Sequence, residues 1–237
     1  MLDVSKIKAI SLDLDDTLWP IWPVIERAEK ALLDWLSDHA PMTAAMFASP
    51  AALREICEYM AEVMVKQRPE MRHDLGAIRR ESIRLALYRA KEDPLLAEPA
   101  YEVFFAARNR VQLFDDALPA LKAMFARYPL VSLSNGNAQL DLVGLAGYFK
   151  AAISAKEFGH SKPDARIFVA AAGTVGVQPH EVLHIGDDAA LDVQGALNAG
   201  MQAVWLNRDD KLWPYEDSAP TLEVSTLADV CSALAII

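Results

Sequence analysis

The stretch Ile7-Lys8-Ala9-Ile10-Ser11-Leu12-Asp13-Leu14-Asp15-Asp16-Thr17-Leu18 decides how the chain is read. Ile7, Ala9, Ile10 and Leu12 form a short apolar run that reads as a buried strand, and it ends in two carboxylates separated by one residue. In an open parallel sheet, ligands bind at the carboxyl ends of the strands, and an extended chain turns residues i and i+2 to the same side. Asp13 and Asp15 are therefore expected to face one substrate. The competing reading is a solvated strand-to-loop turn, where Asp and Asp-Thr are common.

Three later apolar runs end in polar loops of the same kind. Leu130-Val131-Ser132-Leu133 leads into Ser134-Asn135-Gly136, whose hydroxyl and loop amides suit phosphate oxygens. Ala151-Ala152-Ile153-Ser154 precedes Gly159-His160-Ser161-Lys162-Pro163-Asp164, in which Pro163 marks the first turn of a helix and Lys162 is a positioned cation. Val182-Leu183-His184-Ile185 ends in Gly186-Asp187-Asp188, with Asp192 four residues beyond. Asp192 reads either as a first-turn acid favoured by the helix dipole or as part of a second acidic site. His184 reads as a packing histidine of the strand.

In this order Asp13-x-Asp15-x-Thr17, Ser134-Asn135-Gly136, Lys162-Pro163 and Gly186-Asp187-x-x-x-x-Asp192 give a chain that resembles the haloacid dehalogenase superfamily of aspartate-nucleophile phosphohydrolases. The resemblance covers the whole chain, because the stretch between the first two segments has the length and helical character of that superfamily's first-type cap. Ser134-Asn135-Gly136-Asn137-Ala138-Gln139, Gly144-Leu145, Gly147-Tyr148-Phe149 and Gly186-Asp187-Asp188 are similar to the bacterial branch that dephosphorylates FMN and 5-amino-6-(5-phosphoribitylamino)uracil.

The resemblance implies a role for each residue. Asp13 is the nucleophile, and Asp15 is the general acid for the leaving oxygen and then the base for water. Ser134 and Asn135 orient the phosphoryl oxygens, Lys162 partners the phosphate and the aspartate, and Thr17 orders the loop. The Asp13 carboxylate, the Asp15 backbone carbonyl and Asp187 hold a metal, with Asp188 and Asp192 acting through water or from behind. Charge argues for that metal independently. Several carboxylates and a phosphate dianion crowd one place, each unit pair near 4 Å repels by about 4 kcal/mol at an effective dielectric of 20, and one lysine does not balance them. Oxygen donors without Cys or a His cluster favour Mg²⁺ over Zn²⁺.

After the first segment Ile25, Ala28, Leu32, Trp35 and Leu36 recur at helical spacing, and helical patterns continue through Ile56, Met60 and Val63, then Ile83, Ala86, Leu87 and Ala90, then Ala100, Val103, Phe104 and Ala107. From Asp115 on, helices alternate with strands near 130–134, 151–154, 182–186 and 202–206. The expected fold is α/β: a Rossmann-like parallel sheet core from 1–18 and 113–237, with a helical cap inserted at 19–112. In the cap, His73 and Arg79 are candidate specificity groups, against the competing reading of a solvated charged helix. Trp19 is a candidate for stacking on a flat substrate ring or lining the cap hinge, while Trp22 is expected to pack.

The 237 residues carry a net charge of -10, which disfavours a nucleic-acid partner. No apolar stretch reaches the roughly 18 residues of a membrane helix, and Cys57 and Cys231 lack metal or redox spacing. The expectation is a soluble cytoplasmic protein, monomer or homodimer, acting on a small phosphorylated metabolite. Its expected activity is Mg²⁺-dependent phosphomonoester hydrolysis through an aspartyl phosphate, on FMN or a riboflavin-pathway phosphate. The alternatives are a phosphosugar mutase, a phosphonate hydrolase, a haloacid dehalogenase and, from another class, a phospho-Asp signalling module. The dehalogenase branch lacks an acid two residues after its nucleophile, and signalling modules have no cap.

Overall fold

The structure, a computed structural model, describes residues 2–47 and 50–236 and divides into two compact units. One comprises Met1–Pro20, Gln112–Gly136 and Gly144–Ile237; the other comprises Ile21–Val111 and Asn137–Val143.

The first unit is built on a six-stranded parallel sheet of order β3-β2-β1-β4-β5-β6. The strands are β1 Ala9–Leu12, β2 Leu130–Ser134, β3 Ala151–Ser154, β4 Val182–Gly186, β5 Gln202–Leu206 and β6 Leu222–Val224. Every residue of β1, β2 and β4 is buried, as a strand covered on both faces requires, and this is why they read as near-continuous apolar runs. The strand after Ile7 spans Ala9–Leu12, shorter than the apolar run. β6 has only three residues, half-exposed or exposed at the sheet edge, too short for a periodic signal. β1 lies between β2 and β4, with Ile10 opposite Leu130 and Ser11 opposite His184. The order therefore reverses at β1, and a ligand crevice forms at the carboxyl ends of strands flanking such a switch point. Asp13 and Asp187 follow the two strands that meet there.

The second unit is helical: α1 Ile21–His39, α2 Pro41–Met46, α3 Pro50–Gln67, α4 Leu75–Ala90 and α5 Ala97–Arg108. Val24, Ala28, Leu32 and Leu36, four residues apart, form the buried stripe of α1, and the last three join Ile83, Leu87, Tyr101 and Phe104 in one apolar core. Asp74 starts α4 by accepting the Ala77 N–H at 2.8 Å. The segment Asn137–Val143, with α7 Leu140–Val143, groups with these helices, and Asn109 Oδ1 accepts the Gln139 N–H at 2.7 Å. That pairing across 30 residues leaves no signal in chain position, from which 113–237 is expected as one body, and it sets Asn137–Val143 apart from the rest of that span.

The remaining helices belong to the sheet unit: α6 Ala117–Phe125, α8 Ala155–Phe158, α9 Ala165–Thr174, α10 Gly195–Asn198 and α11 Leu227–Ala233. Pro163 is not in the first turn of α9. It precedes the N-cap Asp164, whose side chain accepts the Arg166 N–H at 3.0 Å. Cys57 in α3 and Cys231 in α11 are free thiols. Among the described residues, no helix is long and apolar enough to cross a membrane.

Candidate active site

All groups of the site's chemistry lie in the sheet unit, on the loops that follow β1, β2, β3 and β4. Asp13 continues β1, tied by its N–H to the Ile185 carbonyl at 3.0 Å, and its side chain is buried. Lys162, from the loop between α8 and α9, is 3% exposed, and its Nζ donates to Asp13 Oδ1 and Asp192 Oδ1, both at 2.5 Å. Asp13, Asp187 and Asp192 each offer an oxygen, and the three lie within 4.8 Å of one another.

This crowding shows in the acidities. Burial pushes the Asp13 carboxyl well above the usual range; Lys162 opposes the shift, while Asp192 and Asp187 reinforce it. Burial, with the charges of Asp192 and Asp16, pushes Asp187 up to about 7. Burial works against charge on Lys162 as well, yet Asp13 and Asp192 hold it above an ordinary lysine. Asp192 is the acid that gains: Lys162 and His184 overcome its burial and keep it ionised.

Asp192 is held from every side. Its Oδ1 meets Lys162 and His184 Nε2 (3.2 Å), and its Oδ2 accepts the Asp188 N–H at 3.1 Å. A carboxylate only accepts, so His184 carries its proton on Nε2, and Nδ1 accepts from the Ser11 hydroxyl at 2.8 Å. Burial holds His184 below an ordinary imidazole and keeps it neutral. The histidine read as packing is thus a polar strut beneath the site, opposite Ser11 in the sheet register. Asp192 sits in a wide, π-type turn at Ala189–Gln194 and folds back over Gly186, where a Cβ would fall on the Asp192 side chain. Only glycine permits that approach.

The other expected residues are placed as follows. Thr17 is fully buried and its Oγ1 lies 3.4 Å from Asp187 Oδ1. Ser134 Oγ accepts the Gly136 N–H at 2.9 Å. The Asn135 amide is taken up by the Lys162 main chain: Nδ2 donates to the Lys162 carbonyl at 3.1 Å and Oδ1 accepts its N–H at 2.8 Å. Asn135 therefore aims the lysine loop, an engagement its sequence neighbours do not show. Asp188 caps the following turn, accepting the N–H groups of Ala190 and Leu191. Asp15 Oδ1 accepts the Trp19 indole N–H at 2.7 Å.

Trp19 is 0% exposed, so no ring face is available for stacking on a ligand, whereas Trp22, expected to pack, is 61% exposed. His73, in the helical unit, accepts the Arg72 Nε–H at 2.8 Å. Arg79, in the same unit, is not on a solvated face. It pairs with buried Glu29 at 3.5 Å and lies 4.5 Å from the centre of the Phe104 ring. Trp205 on β5 was not singled out from sequence; its indole donates to the Asp187 carbonyl at 2.8 Å and braces that loop.

Comparison with known proteins agrees with this geometry. The family model described as haloacid dehalogenase-like hydrolase matches residues 7–200. The 5-amino-6-(5-phospho-D-ribitylamino)uracil phosphatase YigB of Escherichia coli (strain K12) is 34% identical over 98% of each chain. The phosphoserine phosphatase of Thermus thermophilus is 35% identical over 68% of this chain and 67% of that one. Among solved structures, the 2-haloacid dehalogenase from Pseudomonas syringae pv. Tomato DC3000 matches with a TM-score of 0.88 at 35% identity, covering 97% of this chain and 98% of that one. The parallel sheet, the ordered polar loops at its carboxyl end and these similarities lead to one conclusion: the chain is an enzyme that belongs to the haloacid dehalogenase-like hydrolase family.

Proposed function

We propose that this protein is a Mg²⁺-dependent phosphatase of small phosphomonoesters that works through an aspartyl phosphate on Asp13. The observation that carries the reading is the excess of carboxylates around Lys162: buried Asp13 and Asp192 with half-buried Asp187. Their donors are hard oxygens, which suit Mg²⁺. Asp13, Asp187 and the Asp15 carbonyl would hold it, because both Asp192 oxygens are already engaged. Such an ion would offset the carboxylate repulsion and supply Lewis-acid polarisation of a phosphoryl oxygen.

Asp13 attacks phosphorus; the P–O ester bond breaks, and the departing oxygen takes a proton from Asp15. Asp15 then removes a proton from water, whose oxygen displaces the Asp13 carboxylate to release phosphate. Lys162 aims Asp13 and favours its ionised form against the pull of burial, and it neutralises charge on the phosphoryl group. The Ser134 hydroxyl and the Asn135 N–H bind the remaining oxygens, with the Asn135 side chain fastening Lys162. The helical unit is read as the family's cap and selects among leaving groups.

Similarity to the Escherichia coli uracil phosphatase favours a ribityl phosphate or FMN as substrate. Similarity to the Pseudomonas syringae dehalogenase favours haloacid hydrolysis as the second reading. Asp15 decides between them on chemical grounds: an alkoxide needs a proton to leave and a halide does not. Purified protein with Mg²⁺, assayed on FMN, sugar phosphates and 2-chloropropionate, should release phosphate and not chloride. Chloride release without phosphate release would reverse the assignment.

A further inference from the structure

Trp19 and Asp15 face each other across a tight turn. Asp16, at φ 57°, sits in the left-handed region, its N–H donates to the Trp19 carbonyl at 2.7 Å, and the Leu18 N–H donates to the Leu14 carbonyl at 2.8 Å. This closure brings the indole back onto Asp15, with Nε1 2.7 Å from Oδ1. Trp19 is fully buried, so water does not substitute for that acceptor. Rotating the carboxyl away strands a buried donor.

An indole N–H only donates. Asp15 Oδ1 must therefore remain an acceptor whether the carboxyl is ionised or protonated, and any proton sits on Oδ2. We propose that Trp19 is a positioning residue for proton transfer: it holds Asp15 in one rotamer and reserves Oδ2 as the atom that gives a proton to the leaving oxygen and later takes one from water. This inference rests on the reading of Asp15 as general acid and base. It makes Trp19 more than packing, because a packing role has no reason to depend on the leaving group.

The test compares a poor leaving group with a good one. Kinetics with an alkyl phosphate (glycerol phosphate) and an aryl phosphate (p-nitrophenyl phosphate) are measured for wild type, Trp19→Phe, Asp15→Asn and the double variant. A second version replaces Trp19 by 3-benzothienylalanine, which keeps the bicyclic shape and lacks the N–H, so the proposal stays testable if Trp19→Phe does not fold. Losses are read in kcat/KM, which reports expulsion of the leaving group and not the later attack of water common to both esters; the expected result is a loss of about 10-fold or more on the alkyl ester, within the range of one acid-base contribution, and under about threefold on the aryl ester. In the Asp15→Asn background the Trp19 change should add nothing. Equal losses on both esters, or losses that multiply in the double variant, overturn the Trp19 role. If Asp15→Asn itself does not discriminate between the esters, the acid reading fails and takes the Trp19 role with it; if Asp15→Asn discriminates and the Trp19 variants do not, only the Trp19 role fails.

Discussion

In the sheet unit three carboxylates, Asp13, Asp187 and Asp192, gather around Lys162, whereas in the helical unit buried Glu29 meets Arg79 beside the Phe104 ring. The second cluster is balanced in charge. The first, fully ionised, holds two negative charges in excess. Taking charge out of water is tolerated where a partner neutralises it, so the balanced pair is a packing device. An unbalanced cluster survives only by protonating an acid or recruiting a cation, and Asp187, pushed up to about 7, shows which acid is under pressure. Buried charge therefore marks chemistry where the charges do not cancel.

The most damaging change to this contrast is Asp13→Asn. An amide is nearly isosteric yet a poor nucleophile, so turnover should fall below about 1% of wild type, several kcal/mol of barrier, with no loss of melting temperature. Retained phosphate release above that level would remove Asp13 from the reaction.

Next comes the pH dependence of the metal-free protein. Asp187 binds its proton more tightly folded than unfolded, so between the ordinary carboxylate value of 3.8 and about 7 the folded state holds more protons. Stability in chelator should therefore fall as pH rises through that window, by up to about 4 kcal/mol, and Asp187→Asn should flatten the fall. Urea unfolding at several pH values measures it. A profile unchanged by Asp187→Asn would mean that the crowding is relieved elsewhere.

Arg79→Met tests the balanced cluster. Leaving Glu29 without its cation should cost about 3 kcal/mol of stability in denaturant titration. Turnover of p-nitrophenyl phosphate should stay within about twofold. A large fall in kcat with unchanged stability would give Arg79 a chemical role and break the comparison. The smallest effect separates two acids of one loop: Asp188→Ala should cost about 1 kcal/mol as a lost cap and leave activity nearly intact, while Asp192→Ala should also impair turnover by freeing Lys162.

Much of this was legible because apolar runs ending in polar loops report both a strand and what stands at its end. Asp13, Asp187 and Lys162 were found in this way, as were four strands of the sheet. What stayed hidden depends on register or on contacts distant in sequence. Ser11 and His184 become partners only when β1 and β4 align, the Asn135 amide reaches 27 residues to Lys162, and Trp205 reaches back to the Asp187 carbonyl. Trp19 and Trp22 exchanged fates because an aromatic beside a turn gives no periodic signal of which way it points. The Arg79 environment was equally closed to inspection, since Glu29 lies on another helix 50 residues earlier.

The claim that the sheet unit's charge excess is made for a cation is tested most directly by calorimetric titration of Mg²⁺ into metal-free wild type, Asp187→Asn and Arg79→Met, without substrate. One ion per chain is expected for wild type and Arg79→Met with equal affinity, and binding weakened about 10-fold or more in Asp187→Asn. Absence of saturable Mg²⁺ binding in wild type, with phosphate release undiminished after exhaustive chelation, would contradict it.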